Sequence, residues 1–137
     1  RLQWEGIWHM TPLLMAFQGE GDVAEAAESY AAWIRSQEGT VDSLLGEIAA
    51  LCMFNGHYAL AERYAEDALA AGQGKSNGLI YVWRAGGHLG ETGDVTTTLP
   101  LLHEARRHNS ADEIKRMLSQ QVPFTEYADD ERLQEVV

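Results

Sequence analysis

Three stretches of the chain place apolar residues at successive intervals of three, one and three positions. This spacing puts the four residues of each stretch on one face of an α-helix. The three sets are Met10, Leu13, Leu14 and Phe17, then Leu45, Ile48, Ala49 and Cys52, and then Val82, Ala85, Gly86 and Leu89. The pattern therefore predicts three amphipathic helices, each with one face turned toward a core.

A glycine follows each apolar set, at Gly21, Gly56 and Gly93, with separations of 35 and 37 residues. Glycine readily adopts a positive φ, so one helix can end there and a second can begin after a tight turn. Asp22 and Asp94 come next and can cap the second helix, whereas His57 is a poorer capping residue. The sequence thus predicts three units of two helices each.

Small residues at a fixed distance from these glycines allow the paired helices to approach closely. Ala26 and Ala61 lie five positions after their glycines, and Ala68 and Ala105 lie twelve after theirs, where the first unit has Trp33. Two-helix units repeated about every 34 residues resemble the tetratricopeptide repeat family, and the middle unit over residues 55–69 is the most specific match. The resemblance implies an all-α fold, a right-handed superhelix of antiparallel helix pairs. Repeats are expected at about 8–37, 41–72 and 78–108.

The residues after the third unit predict a terminal cap. Ser110 with Glu113 three positions later is a capping box, which predicts a helix over 110–121, and Val122-Pro123 ends it. The acidic tail 122–137 resembles a segment that often closes arrays of this family, although Glu131 stands where that pattern more often has proline. Together with the repeats, this segment completes a single predicted domain over 1–137.

Two prolines and one glycine-rich stretch predict local departures from regular helices. Thr96, Thr97 and Thr98 before Pro100 predict an irregular or kinked start to the last repeat helix. The first helix is expected either to start at Pro12 or to be kinked there. Residues 72–78 are expected to form a longer loop.

Charge and cysteine content narrow the possible partners. A net charge of −11 argues against binding to nucleic acid or to anionic lipid and favours a basic or neutral partner. No apolar run approaches the roughly 20 residues that span a bilayer. The single cysteine, Cys52, permits no internal disulfide, which suggests a cytoplasmic protein. Because the chain begins with Arg1, we expect it to be part of a larger protein.

No motif in the sequence points to catalysis, a metal or a cofactor. None of the five histidines is followed by another histidine four positions later, and there is no HExxH motif. The stretch 72–76 lacks the leading glycine of a phosphate-binding loop. Pairs such as Glu62 and Glu66 are interpreted as a solvated helix face, and Cys52 as a buried thiol. We therefore predict that the protein is not an enzyme.

The family resemblance also implies where a partner would bind, since the first helix of each repeat lines a concave groove. The positions in register are Trp8, Thr11, Met15 and Gln18, then Ser43, Gly46, Ala50 and Met53, and then Ile80, Trp83, Gly87 and Gly90. From these, the predicted binding residues are Trp8, Met15, Gln18, Ser43, Ala50, Met53, Ile80, Trp83 and Gly87. The small residues would leave room for apolar side chains. None of the twelve is Lys, Arg or Asn, so we expect no carboxylate clamp of the chaperone-binding type.

These features predict a scaffold or adaptor domain that binds a peptide or protein segment in its groove. The alternative is a self-association domain of a larger regulatory protein. For Trp4, Trp8 and Trp33, packing in the core or as a cap is an equally good interpretation.

Overall fold

A computed structural model describes residues 2–37, 44–75 and 77–137, and every regular element in these ranges is helical. The α-helices are α1 (Leu2–Phe17), α2 (Val23–Ser36), α3 (Leu44–Phe54), α4 (Tyr58–Ala70), α5 (Leu79–Thr92), α6 (Val95–His108), α7 (Ala111–Gln120) and α8 (Glu131–Gln134). Two short 3-10 helices cover Gln73–Lys75 and Phe124–Tyr127. The predicted all-α class is confirmed.

The chain divides into two compact units, Arg1–Leu44 and Leu45–Val137, hereafter unit 1 and unit 2. Unit 1 contains α1 and α2, and unit 2 contains the elements from α3 to α8. A single domain over 1–137, with the repeat boundaries given above, stays a prediction.

The turns between paired helices have the expected backbone. Gly21, Gly56 and Gly93 have φ values of 131°, 81° and 65°, which residues with a side chain rarely adopt. The next residue caps the following helix in two of the three turns: Asp22 Oδ1 accepts the Glu25 N–H at 2.8 Å, and Asp94 Oδ1 accepts the Thr97 N–H at 3.3 Å. The side chain of His57 does not cap α4. The expected order of capping strength is thus reproduced.

Neither proline sets a helix boundary. Helix α1 begins at Leu2, so the predicted start at Pro12 is wrong, and the Thr11 hydroxyl donates to the carbonyl of Ile7 at 2.7 Å within this helix. Helix α6 is continuous from Val95, so its start is not irregular, and a kink at either proline stays a prediction. In the first turn of α6, the hydroxyl of the buried Thr98 donates to the carbonyl of Asp94 at 2.8 Å.

Unit 1 buries one side of each of its two helices. Leu13 and Ala16 of α1 are buried, as are Tyr30 and Ile34 of α2. Leu14, which the apolar pattern places toward the core, is instead exposed. Among the described residues of unit 1, α2 is the one helix that packs against α1, and it covers the side that carries Leu13 and Ala16.

Trp33 of unit 1 is part of a row of stacked rings. It stacks on His9 with ring centroids 4.5 Å apart and on Tyr30 with centroids 6.1 Å apart. The large side chain that stands where the second and third units have alanine therefore packs between helices α1 and α2.

Helix α5 is the centre of unit 2 and packs against both α4 and α6. A Cβ atom added at Gly87 would lie 2.7 Å from the backbone nitrogen of Glu62 and 2.9 Å from the carbonyl oxygen of Tyr58. At Gly90 it would clash with the ring of Tyr58. The absence of a side chain at Gly87 thus lets the backbones of α4 and α5 meet, and its absence at Gly90 makes room for the Tyr58 ring.

The segment after α6 closes one end of this unit. Ser110 Oγ accepts the Glu113 N–H at 3.1 Å, and α7 ends at Gln120, as the capping box predicts. Phe124 and Leu133 of the tail are fully buried in a cluster with residues of α5, α6 and α7. Burial of these two side chains fastens the tail to the rest of unit 2.

Arg132 adds a polar attachment for the tail. Its guanidinium makes two hydrogen bonds to the carboxylate of Asp130 and a third to the hydroxyl of Thr96 at 2.8 Å. The hydrogen bond from Arg132 lowers the pKa of Asp130 below its usual value. The tail is therefore joined to the first turn of α6 as well as to the core.

The predicted loop over 72–78 contains an ordered turn. Gln73 is buried, and its side-chain oxygen accepts the N–H of Gly46 near the start of α3 at 3.3 Å. Gly74 is packed against Leu69 and Tyr81. Ser76 lies outside the described residues.

Candidate functional site

The predicted binding residues of unit 1 lie on an open face of α1. Trp8 is 77% exposed, Met15 is 44% exposed, and Gln18 is exposed one turn further along. Ile7 and Leu14 are also exposed, and four of the seven exposed large apolar side chains of the described residues therefore belong to this helix. At 100° per residue, the four apolar positions lie within about 120° of the helix circumference, and Gln18 follows the last residue of the helix. We call Ile7, Trp8, Leu14 and Met15 the α1 apolar row.

The predicted binding residues of unit 2 are mostly inside it. Met53, Ile80, Trp83 and Gly87 are buried, and Ala50 is partly buried. Ser43 lies outside the described residues. Within unit 2, these residues do not line an open groove.

Neighbouring groups fill the space that the small residues of unit 2 were expected to leave for a ligand. A Cβ atom added at Gly46 would clash with the Ile80 side chain. Cβ atoms added at Gly87 and Gly90 would clash with residues of α4. A Cβ at Gly86 would lie 2.7 Å from the sulfur of Met53 and 3.4 Å from the ring of Phe124. These residues therefore serve helix packing, and a tail residue covers one of them.

An apolar pocket of about 440 Å³ opens in unit 1, next to the α1 apolar row. Its lining comes from the end of α1, the turn and the start of α2: Pro12, Met15, Ala16, Glu20, Gly21, Asp22, Glu25, Ala26 and Ser29. Met15 belongs to both the pocket and the row. Three carboxylates, those of Glu20, Asp22 and Glu25, lie beside the apolar side chains. A volume of this size suits one or two bulky side chains of a partner.

The acidic residues of this pocket have few basic neighbours in their unit. Residues 2–37 contain five Asp or Glu residues and a single Lys or Arg, which is Arg35. Arg35 Nη1 lies 2.9 Å from Glu28 Oε1, a carboxylate outside the pocket. The pocket therefore presents negative charge next to an apolar surface.

A second pocket, of about 460 Å³, lies in unit 2 where α3 ends and α7 ends. It is lined by Met53, Phe54, Gly56, Tyr58, Gln120, Gln121 and Val122. Phe54 is 59% exposed at its edge, and Val122 is exposed as well. Met53 is the one predicted binding residue in this lining. The lining contains no Asp or Glu, unlike the lining of the pocket in unit 1.

His88 belongs to a polar chain that the sequence does not reveal. Its Nδ1 lies 2.7 Å from Glu62 Oε2, and its Nε2 lies 2.7 Å from Thr97 Oγ1. With a neutral ring, Nδ1 donates to the carboxylate and Nε2 accepts from the hydroxyl. Neither pocket described above contains any of the three residues. Since they come from α4, α5 and α6, we interpret the chain as a link between these helices.

The sequence contains no histidine pair at helical spacing and indicates no partner for His88. Its partners Glu62 and Thr97 are 26 and 9 residues away along the chain, on other helices. No spacing within one helix could have indicated them.

In residues 2–37, 44–75 and 77–137, no three His, Cys, Asp or Glu side chains are grouped as a metal site would need. None of the helices in those ranges combines the length and apolar character required to cross a bilayer.

Comparison with known proteins identifies no relative. No family model matches the chain, and neither the curated proteins nor the solved structures yield a significant match. The site is therefore interpreted from its own geometry.

Proposed function

We propose that this chain is a non-catalytic protein-interaction domain built from tetratricopeptide-like helix pairs, and that it binds a protein segment through the α1 apolar row. The observation that carries the proposal is the exposure of Trp8, Met15, Ile7 and Leu14 on one face of one helix. Several exposed large apolar side chains on one face of a helix indicate an interaction site, because exposed apolar residues are ordinarily scattered singly. Location in the cytoplasm is part of the proposal and rests on the single cysteine.

Support for tetratricopeptide-like pairs comes from the turns and the caps. Glycines with positive φ lie in the α1–α2, α3–α4 and α5–α6 turns, and α7 with the tail follows the last of these helices. In such arrays, the first helix of each pair carries binding residues, and α1 holds that position here.

Selection from a random displayed peptide library on the immobilised full chain tests this proposal. Enriched peptides are synthesised, and their affinities are measured by fluorescence anisotropy for the wild type and for Trp8→Glu. Since Trp8 is largely exposed, the substitution leaves the core intact and places a charge in the apolar row. We expect at least a tenfold loss of affinity, which corresponds to about 1.4 kcal/mol.

Phe54→Glu is the matched control, since it places the same charge on an exposed aromatic of unit 2. It should bind the selected peptides as the wild type does. Equal affinities for wild type and Trp8→Glu, or a library that yields no binder, would refute the proposal.

Self-association is the second candidate function, and it would use the same row. Glu5 is the sole Asp, Glu, Lys or Arg in the sequence of α1, so two copies can bring this helix together without like charges in the row. Ile7 with Leu14, and Trp8 with Met15, are also spaced by seven residues, as in paired helices. Sedimentation velocity over a range of concentrations decides between a monomer of 15.2 kDa and a dimer. A dimer that dissociates in Trp8→Glu favours this second function.

A further inference from the structure

The pocket beside the α1 apolar row combines two chemical features that together specify a partner. Met15 and Ala16 supply apolar surface from α1, and Glu20, Asp22 and Glu25 supply carboxylates from the turn and the first turn of α2. We propose that the partner is a cationic amphipathic segment. An apolar side chain of that segment enters the pocket, and a lysine or arginine beside it meets the carboxylates. This inference rests on the proposed function, since it specifies the ligand of the same surface.

The apolar half of the site explains why a side chain enters. The Met15 side chain is 44% exposed, and Ala16 below it is buried. An apolar group that covers Met15 removes the exposed part of this side chain and its own apolar surface from water, which is the main favourable term in association. The pocket is large enough for a leucine or methionine side chain.

The charged half explains why the partner is basic. Asp22 uses Oδ1 to cap α2, and Glu20 and Glu25 are exposed at the pocket. The described residues of unit 1 contain a single basic side chain, Arg35, and its guanidinium contacts Glu28. A cationic partner relieves the repulsion among these carboxylates, whereas an acidic partner increases it.

A second copy of this chain fits the pocket less well than a cationic segment does. The chain has 21 acidic and 10 basic residues, so a copy brings mostly further negative charge. Charge complementarity therefore favours a basic segment of another protein in the pocket. Self-association is one outcome of the test below.

Three fluorescein-labelled peptides of one length and one leucine pattern provide the test. The leucines lie at helical spacing, and the polar positions are all lysine, all glutamine or all glutamate. Fluorescence anisotropy measures the affinity of each peptide for the full chain. We expect the lysine peptide to bind at least tenfold more tightly than the glutamine peptide, and the glutamate peptide most weakly. Raising the salt from about 0.05 M to about 0.5 M should abolish most of that preference, because exposed charges are screened.

Two charge-neutralised double variants show which carboxylates cause the preference for the lysine peptide. Glu20→Gln with Glu25→Gln should reduce the preference for lysine over glutamine peptide to less than threefold. Glu66→Gln with Glu91→Gln is the control, since both residues are exposed in unit 2 and the net charge changes equally. If the control pair reduces the preference as much as the pocket pair, the attraction is general and the inference is wrong.

The remaining outcomes separate this inference from the proposed function. Lysine and glutamine peptides that bind equally, and that both lose affinity in Met15→Gln, would overturn the cationic partner and leave the apolar row as a binding site. Binding of the lysine peptide that Met15→Gln does not change would place it elsewhere and overturn the inference. A wild type that forms dimers and binds none of the three peptides would overturn it in favour of a second copy.

Discussion

The Nδ1 atom of His88 on α5 lies 2.7 Å from the Oε2 atom of Glu62 on α4. Both side chains are about one-fifth exposed, at 20% and 22%, so the pair is partly shielded from water. Thr97 on α6 completes the chain at the other ring nitrogen. One imidazole therefore connects the three helices at the centre of unit 2.

Loss of this imidazole should destabilise the protein. His88→Ala removes two hydrogen bonds and leaves the Glu62 carboxylate without one of its partners. We expect the free energy of unfolding to fall by about 1–2 kcal/mol. Urea denaturation at neutral pH, followed by circular dichroism, measures the change. His103→Ala, an exposed histidine of α6, should alter stability by less than about 0.5 kcal/mol. Equal effects of the two substitutions would contradict this interpretation of His88.

Adjacent glycines of α5 should differ in their tolerance of a methyl group. In Gly87→Ala, the new Cβ meets backbone atoms of α4, which cannot move without shifting the helix, so we expect a loss of about 2 kcal/mol or more. In Gly86→Ala, the nearest atom is the sulfur of Met53, whose flexible side chain can turn away. The higher helix propensity of alanine then limits the loss to less than about 1 kcal/mol. Thermal unfolding of the two variants tests the order, and a less stable Gly86→Ala protein would show it to be incorrect.

Two phenylalanines of unit 2 should contribute very unequally to stability. Phe124 is fully buried in the core cluster, and Phe54 is 59% exposed. Phe124→Ala should cost about 3–5 kcal/mol, because it removes a buried ring and leaves a cavity. Phe54→Ala should cost less than about 1 kcal/mol. Denaturant midpoints of both variants provide the comparison, and a stable Phe124→Ala protein would mean that the tail is not part of the folded core.

The thiol of Cys52 should be unreactive in the native protein. Cys52 is fully buried, and burial raises its pKa to about 12. Alkylation needs the thiolate, so iodoacetamide at pH 8 should modify the native chain far more slowly than the chain in urea. Mass spectrometry follows the reaction. Similar rates in the two states would contradict the burial of this side chain.

The same shift in pKa predicts how stability depends on pH above neutrality. The pKa in the folded state lies above the value of about 8.5 expected in the unfolded chain. The contribution of the neutral thiol is therefore fully present below about pH 8.5 and is lost as the pH rises toward 12. Cys52→Ala should remove this part of the alkaline loss of stability, which denaturation at a series of pH values would detect.

Local rules applied to the sequence predicted the helices and their ends correctly in most places. The positive φ of Gly21 and Gly93 and the caps at Asp22, Asp94 and Ser110 depend on residues within four positions of each other. Such interactions recur wherever the same residues follow one another, so a sequence pattern is enough to recognise them. The expected start at Pro12 was wrong, because α1 runs through this proline, as α6 runs through Pro100.

The tertiary structure alone decided which surfaces are open. The sequence could not show that Gly87 and Gly90 meet α4, that Phe124 lies against Gly86, or that His88 joins Glu62. Each of these depends on which distant backbone approaches a given face, and spacing along one helix contains no information about that approach. The exposed face of α1 and the acidic pocket also depend on tertiary packing, because α2 covers one side of α1 and leaves these surfaces open.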